Sequence, residues 1–101
     1  MWAQLITIRV KSGRDDEIFS FEKQLLALEQ PDSGLVSSTM LRDQKDPSRF
    51  FILVVFESEE KARERENDPR REQGLQALRA TMMDFIEGPP EFVDLLVLDS
   101  H

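Results

Sequence analysis

Three side chains that do much of enzyme chemistry are almost missing from this chain. It has no cysteine and no tyrosine, and its one histidine is the last residue, His101. The absence of cysteine excludes disulfides, thiolate metal sites and cysteine nucleophiles together. A lone terminal histidine leaves no Ser-His-Asp set, and the four glycines form no phosphate-cradling loop. No apolar run approaches the roughly 20 residues of a membrane-crossing helix. Met1 to Val10 has no basic leading region and no cleavage site, so it does not read as a signal peptide. Basic residues are outnumbered, 13 Lys and Arg against 20 Asp and Glu, for a net charge of -7. Such a surface repels phosphate backbones and argues against a nucleic-acid partner. The arginines between Arg63 and Arg71 are interleaved with Glu64, Glu66 and Asp68, with Glu72 just beyond, and read as a solvated helical face. No metal is expected either: Asp15-Asp16-Glu17 and Glu57-Ser58-Glu59-Glu60 lack calcium-loop spacing and place negative charge at helix starts. A cytoplasmic location is the default expectation.

What is present is enough for one domain over residues 1–101, with 40% of the residues hydrophobic. Phe50 to Phe56 is the most informative stretch: Phe-Phe-Ile-Leu-Val-Val-Phe is β-rich and apolar at every position. A strand with one wet face alternates apolar with polar residues, so this one is expected to bury both faces. Ala3 to Val10 reads as a first strand, with Ile6, Ile8 and Val10 on one face. Asp15 to Glu17 opens a helix carrying Ile18, Phe21, Leu25 and Leu28 at helical spacing, widened by Phe19 and Leu26. Pro31-Asp32-Ser33-Gly34 ends it. Leu35 to Asp43 is a more polar strand suited to a sheet edge. Ser58 caps a short helix, and Asp68 with Pro69 restarts a longer one bearing Leu75, Leu78, Met82 and Phe85. Gly88-Pro89-Pro90 stops it, and Phe92 to Leu98 is a last strand, apolar on both faces except at Asp94. The order β-α-β-β-α-β is the ferredoxin-like split βαβ arrangement, an α+β fold with a four-stranded antiparallel sheet.

Helices cover one face of such a sheet. The other would carry either Phe51, Leu53 and Val55 or Phe50, Ile52, Val54 and Phe56, with one alternating set from the last strand, Val93, Leu95 and Val97 or Phe92, Leu96 and Leu98. A bare apolar face of that size is avoided by soluble monomers. A homodimer with sheets face to face is the simplest closure.

Val55-Phe56-Glu57-Ser58-Glu59-Glu60-Lys61-Ala62, followed by Asn67-Asp68-Pro69-Arg70, resembles the antibiotic biosynthesis monooxygenase-like family of the dimeric α+β barrel superfamily. There, a strand ending in an aromatic runs into an acidic helix start, and a Ser-Pro-His-like break follows. The resemblance spans nearly the whole chain and implies two such units pairing into a dimeric α+β barrel. It also has departures. Phe56 stands where the family often has Trp, and Arg65 and Arg70 stand where it often has His. Haem-degrading members use a helix His and a first-strand Asn; Gly74 and Ile6 occupy those positions, which argues against haem degradation.

What the resemblance implies is a reaction needing no cofactor, neither metal nor flavin, on a small apolar or aromatic molecule, quinol-like or polyketide-like. The substrate is deprotonated and its electron-rich anion meets dioxygen. Such a site needs an apolar slot and groups that hold the developing anion. Asn67, Arg70 and Arg65 lie at the break beside that slot. Asp94 is the only acid on an apolar strand: buried, it would be a base; otherwise it is an exposed or Arg-paired residue. Gly74, Ala77 and Thr81 continue from Arg70 as a row of small side chains. That row either leaves room for a flat ligand or lets two helices pack closely. The alternative on the same scaffold is a non-catalytic small-ligand-binding or accessory protein.

Overall fold

The computed structural model describes residues 1–101. The element order is β1 (Trp2–Arg9), α1 (Asp15–Ala27), β2 (Leu35–Arg42), β3 (Arg49–Phe56), α2 (Glu59–Glu66), α3 (Pro69–Phe85) and β4 (Glu91–Leu96). The sheet is antiparallel with strand order β2-β3-β1-β4, so it is the expected α+β, ferredoxin-like arrangement. The helical segment after β3 divides in two because Asn67-Asp68-Pro69 interrupts it. Ser58 Oγ accepts from the Lys61 amide at 3.1 Å to cap α2, and Asp68 Oδ1 accepts from the Arg70 amide at 2.9 Å to cap α3, with Pro69 just behind. None of the helices is long and apolar enough to cross a membrane.

β3 resolves which apolar set faces which way. Phe50, Ile52, Val54 and Phe56 are buried beneath the helices. The register puts Ile8, Ile6, Gln4 and Trp2 of β1 beside them. Phe51, Leu53 and Val55 point to the opposite face, where the helices do not reach, next to Leu5 of β1 and Leu41 of β2. Val93 and Leu95 of β4 extend that face across β1. One core cluster joins β1 and β3 to Ile18, Phe21, Leu78, Phe85 and Ile86. Phe21 and Phe85 meet edge-on at 5.9 Å.

β4, apolar on both faces except at Asp94, lies at the free edge opposite β2, beside β1 alone, and the helices leave its own side of the sheet open: Phe92 is 58% and Leu96 76% exposed. Phe19 and Leu26, read as a wider apolar stripe of α1, are about half exposed, although Phe19 still meets Phe50 edge-on at 6.3 Å.

Gly74 of α3 packs against Leu28, the residue that follows α1. A Cβ there would stand 2.6 Å from Leu28 Cδ2 and 2.9 Å from Cδ1, and Leu28 is packed on the core. Of the two readings of the small-residue row, close helix packing is the one found at Gly74. Gly74→Ala should therefore destabilise the protein despite a helix-propensity gain of about 1 kcal/mol, because overpacking costs about 1–3 kcal/mol. Thermal unfolding followed by circular dichroism should show a melting point lowered by a few degrees; an unchanged or raised value would mean Leu28 yields freely.

Candidate functional site

Between the helices and their side of the sheet lies a cavity of about 560 Å³. Its floor is Trp2, Gln4, Ile6 and Ile8 of β1 with Ile52, Val54 and Phe56 of β3. Phe21 and Leu25 of α1 form one wall, and Leu75, Leu78 and Met82 of α3 the other. The α3 residues recur every three or four positions, so a single apolar stripe serves both the core and the cavity. Exposed members of the lining, Leu26, Glu66, Asn67, Arg79 and Phe92, mark its rim. A second, polar groove of about 180 Å³ shares Glu66, Asn67, Leu75 and Arg79 with it.

Arg65 is part of the wall. It is fixed by a two-pronged ion pair with Glu29 just beyond the end of α1: Nη2 donates to Oε1 at 2.7 Å, and Nε to Oε2 at 2.9 Å. Both side chains are about 85% shielded, and the guanidinium also lies over the Phe56 ring at 5.2 Å. Burial pushes the Glu29 carboxyl up. The bonds from Arg65 and Ser33 and the charges of Arg65 and Arg71 outweigh this, so it sits below its ordinary value.

Arg71 is the residue that sequence reasoning missed. It was grouped with a solvated face, yet it is 2% exposed and lines the cavity. Its Nη1 donates to the Arg65 carbonyl at 3.2 Å, which closes the end of α2; its Nε is buried and meets no protein acceptor. Burial, then the neighbouring Arg65 charge, pushes its pKa down, although an arginine stays protonated at ordinary pH. The available signal was spacing: Arg71 precedes Leu75 by four residues, on the inward stripe.

The other expected residues are distributed unevenly. Asn67 is at the rim, its Nδ2 donating to the Arg63 carbonyl at 3.0 Å. Arg70 is one residue, about 100° of helix rotation, from Arg71. It lies outside the cavity lining, half exposed, bonded to Asp68 at 2.6 Å and Asp32 at 2.9 Å. Its bonds hold Asp68 down to about 2. Ala77 and Thr81 are exposed, and Thr81 Oγ1 donates to the Ala77 carbonyl at 3.1 Å; neither they nor Gly74 line the cavity. Asp94 is the Arg-paired alternative: it is about half exposed and accepts from Gln4 Nε2 and Arg63 Nη2, both at 3.0 Å. It reaches the cavity only through Gln4, which it holds. Trp2 is in the cavity floor, tilted against Phe56 at 6.0 Å, with Arg63 over its outer face at 5.1 Å. No three His, Asp or Glu side chains converge to hold a metal.

No known family model and no curated protein matches this chain. Solved structures do. A provisionally named antibiotic biosynthesis monooxygenase from Nitrosomonas europaea superimposes with a TM-score of 0.76 at 17% identity, over 98% of this chain and 100% of that one. SnoaB, a cofactor-independent oxygenase from Streptomyces nogalater, gives 0.76 at 17% identity, over 98% and 94%. A third, of the same provisional name and from Chloroflexus aurantiacus, gives 0.69 at 20% identity, over 100% and 97%. At these identities the likeness establishes the fold, and it agrees with the resemblance read from the Val55–Ala62 and Asn67–Arg70 segments.

The Glu29–Arg65 pair yields a pH prediction. Because the folded-state carboxyl is depressed, its contribution is fully present above the unfolded value, near 4.5, and is lost as pH falls through the lower folded value. Glu29→Gln should destabilise the protein by about 1.5–3 kcal/mol at pH 7, the range for a charged hydrogen bond. The gap from wild type should narrow as pH falls below that of an ordinary carboxylate. Urea melts at pH 7 and pH 3 measure it; a gap equal at both would remove the pair from the account.

Proposed function

We propose that this protein is a homodimeric, cytoplasmic, cofactor-independent monooxygenase that takes a small quinol-like or polyketide-like aromatic into the cavity. The observation that carries the reading is the cavity itself: an apolar slot with a tryptophan and phenylalanine floor, arginines in its wall and an amide at its mouth. SnoaB, with the same fold, is a cofactor-independent oxygenase, which favours this chemistry among those the scaffold accommodates. An anthrone methylene and dioxygen give a ketone and water, a balance that needs no added reductant. The protein's part is to desolvate the ring, orient its oxygen and hold negative charge as the proton leaves. Arg65 and Asn67 supply cationic and amide contacts. Glu22 and Glu66 are the carboxylates of the lining, so the proton goes to one of them or to water.

A second reading, a non-catalytic binder or accessory protein of the same shape, is favoured by the lining itself. It contains no histidine, cysteine or tyrosine, and Glu66 is engaged with Arg63 at 3.0 Å. An oxygen electrode separates the two. With a panel of quinols and anthrones, wild type should consume oxygen, and Asn67→Ala should lower the rate about tenfold, the effect of about 1.4 kcal/mol. Saturable binding without uptake would establish the second reading.

The homodimer is supported by the apolar sheet face away from the helices, where Val93 and Leu95 are exposed and Phe51, Leu53 and Val55 half-buried. Sedimentation at micromolar concentration should give twice the 11.7 kDa chain mass. Leu53→Glu, which would bury a charge in the facing sheets, should give a monomer. A wild-type monomer would refute the pairing.

A further inference from the structure

Among the charged side chains that line the cavity, Glu22, Arg71 and Arg79 form no ion pair, and of these Arg71 alone is buried. Arg65 is matched by Glu29, Glu66 by Arg63, and Asp68 by Arg70. Arg71 forms an ion pair with none of the chain's carboxylates, although it is the most deeply buried charged side chain. The charges acting on it are Arg65 from α2, Glu29 from the end of α1, Asp68 from the break and Arg79 from its own helix. Both acids among these are already held by other arginines, and the two arginines repel it. Its one protein hydrogen bond, to the Arg65 carbonyl, uses Nη1 and provides no opposite charge. A buried, unmatched charge is strongly unfavourable. A sequence that needed only to close the end of α2 would do so with less penalty using a neutral donor. The guanidinium borders the cavity, where a bound oxyanion would be a counter-charge in a low-dielectric slot.

We infer that Arg71 makes the cavity selective for monoanionic aromatics: the ligand carries one ionised oxygen group, carboxylate, phenolate or enolate, set against this guanidinium while its ring lies on the Trp2–Phe56 floor. The inference rests on the reading that the cavity is the ligand site, and it adds the charge the ligand must bear. Arg71 then has two functions, closing α2 through Nη1 and discriminating ligands by charge. Arg79, exposed at the rim, has the same charge in water and contributes little to that choice.

The chain provides its own reporter, since Trp2 is its only tryptophan and lies in the cavity floor. Trp2 fluorescence, checked by calorimetry, would be titrated with 2-naphthoate and with its neutral isostere 2-naphthamide. Wild type should bind the anion at least about tenfold more tightly. Arg71→Met should bring the two affinities together, Arg71→Lys should keep most of the preference, and Arg79→Gln should leave it unchanged. The wild-type ratio needs no variant, so the test survives if Arg71→Met fails to fold. Equal wild-type affinities would overturn the inference while leaving the cavity as a neutral ligand site. A preference that survives in folded Arg71→Met, or that follows Arg79 instead, would overturn it too. No binding of either probe would overturn both this inference and the cavity reading beneath it. Oxygen uptake is not read in this experiment, so catalysis stands or falls separately.

Discussion

Phe50, Ile52, Val54 and Phe56 on one side of β3, and Phe51, Leu53 and Val55 on the other, place opposite demands on the same strand. The first set needs a cover of helices; α1 and α3 supply it, and the cavity is the space they leave above the sheet. The second set is left half-buried, with no helix over it. Every later feature depends on this division. β1 must lie beside β3 to continue both faces, with Trp2 opposite Phe56 and Leu5 opposite Leu53. The helices must return over one side only.

The break between α2 and α3 is the second organising feature. Asn67-Asp68-Pro69 turns the chain, and the turn gathers Arg65, Asn67, Arg70 and Arg71 within a few residues of one another. Their fates differ because helix rotation sends neighbours in different directions. Arg70 goes outward to Asp68 and Asp32, and Arg71 goes inward to the Arg65 carbonyl and the cavity. Arg65 is drawn against Phe56 and Glu29. One basic segment thus becomes a surface ion pair, a structural clamp and a buried cation.

How much of this the residues revealed in advance depended on the range of the interaction. Strand and helix order followed from local pattern: the continuous apolar run of β3, the caps Ser58 and Asp68, and the turn at Pro31–Gly34. Asn67 and Arg65, which flank the break, line the cavity. Gly74 was left open between packing and pocket, and its contact with Leu28, far away in sequence, was needed to decide. Phe92 and Leu96 look like core residues in one dimension. Their exposure follows from β4 being an edge strand, which no local pattern encodes.

The sequence by itself determined the ferredoxin-like order of elements and the two-sided greasiness of its central strand. These follow from period, capping and composition, properties of residues close together in the chain. Only the tertiary structure decided which face became the cavity, that Asp94 would be tied to Gln4 and Arg63, and that Arg71 would be buried without an opposing charge. Those outcomes depend on which side chains from distant segments compete for the same partner, and that competition exists only once the segments have met.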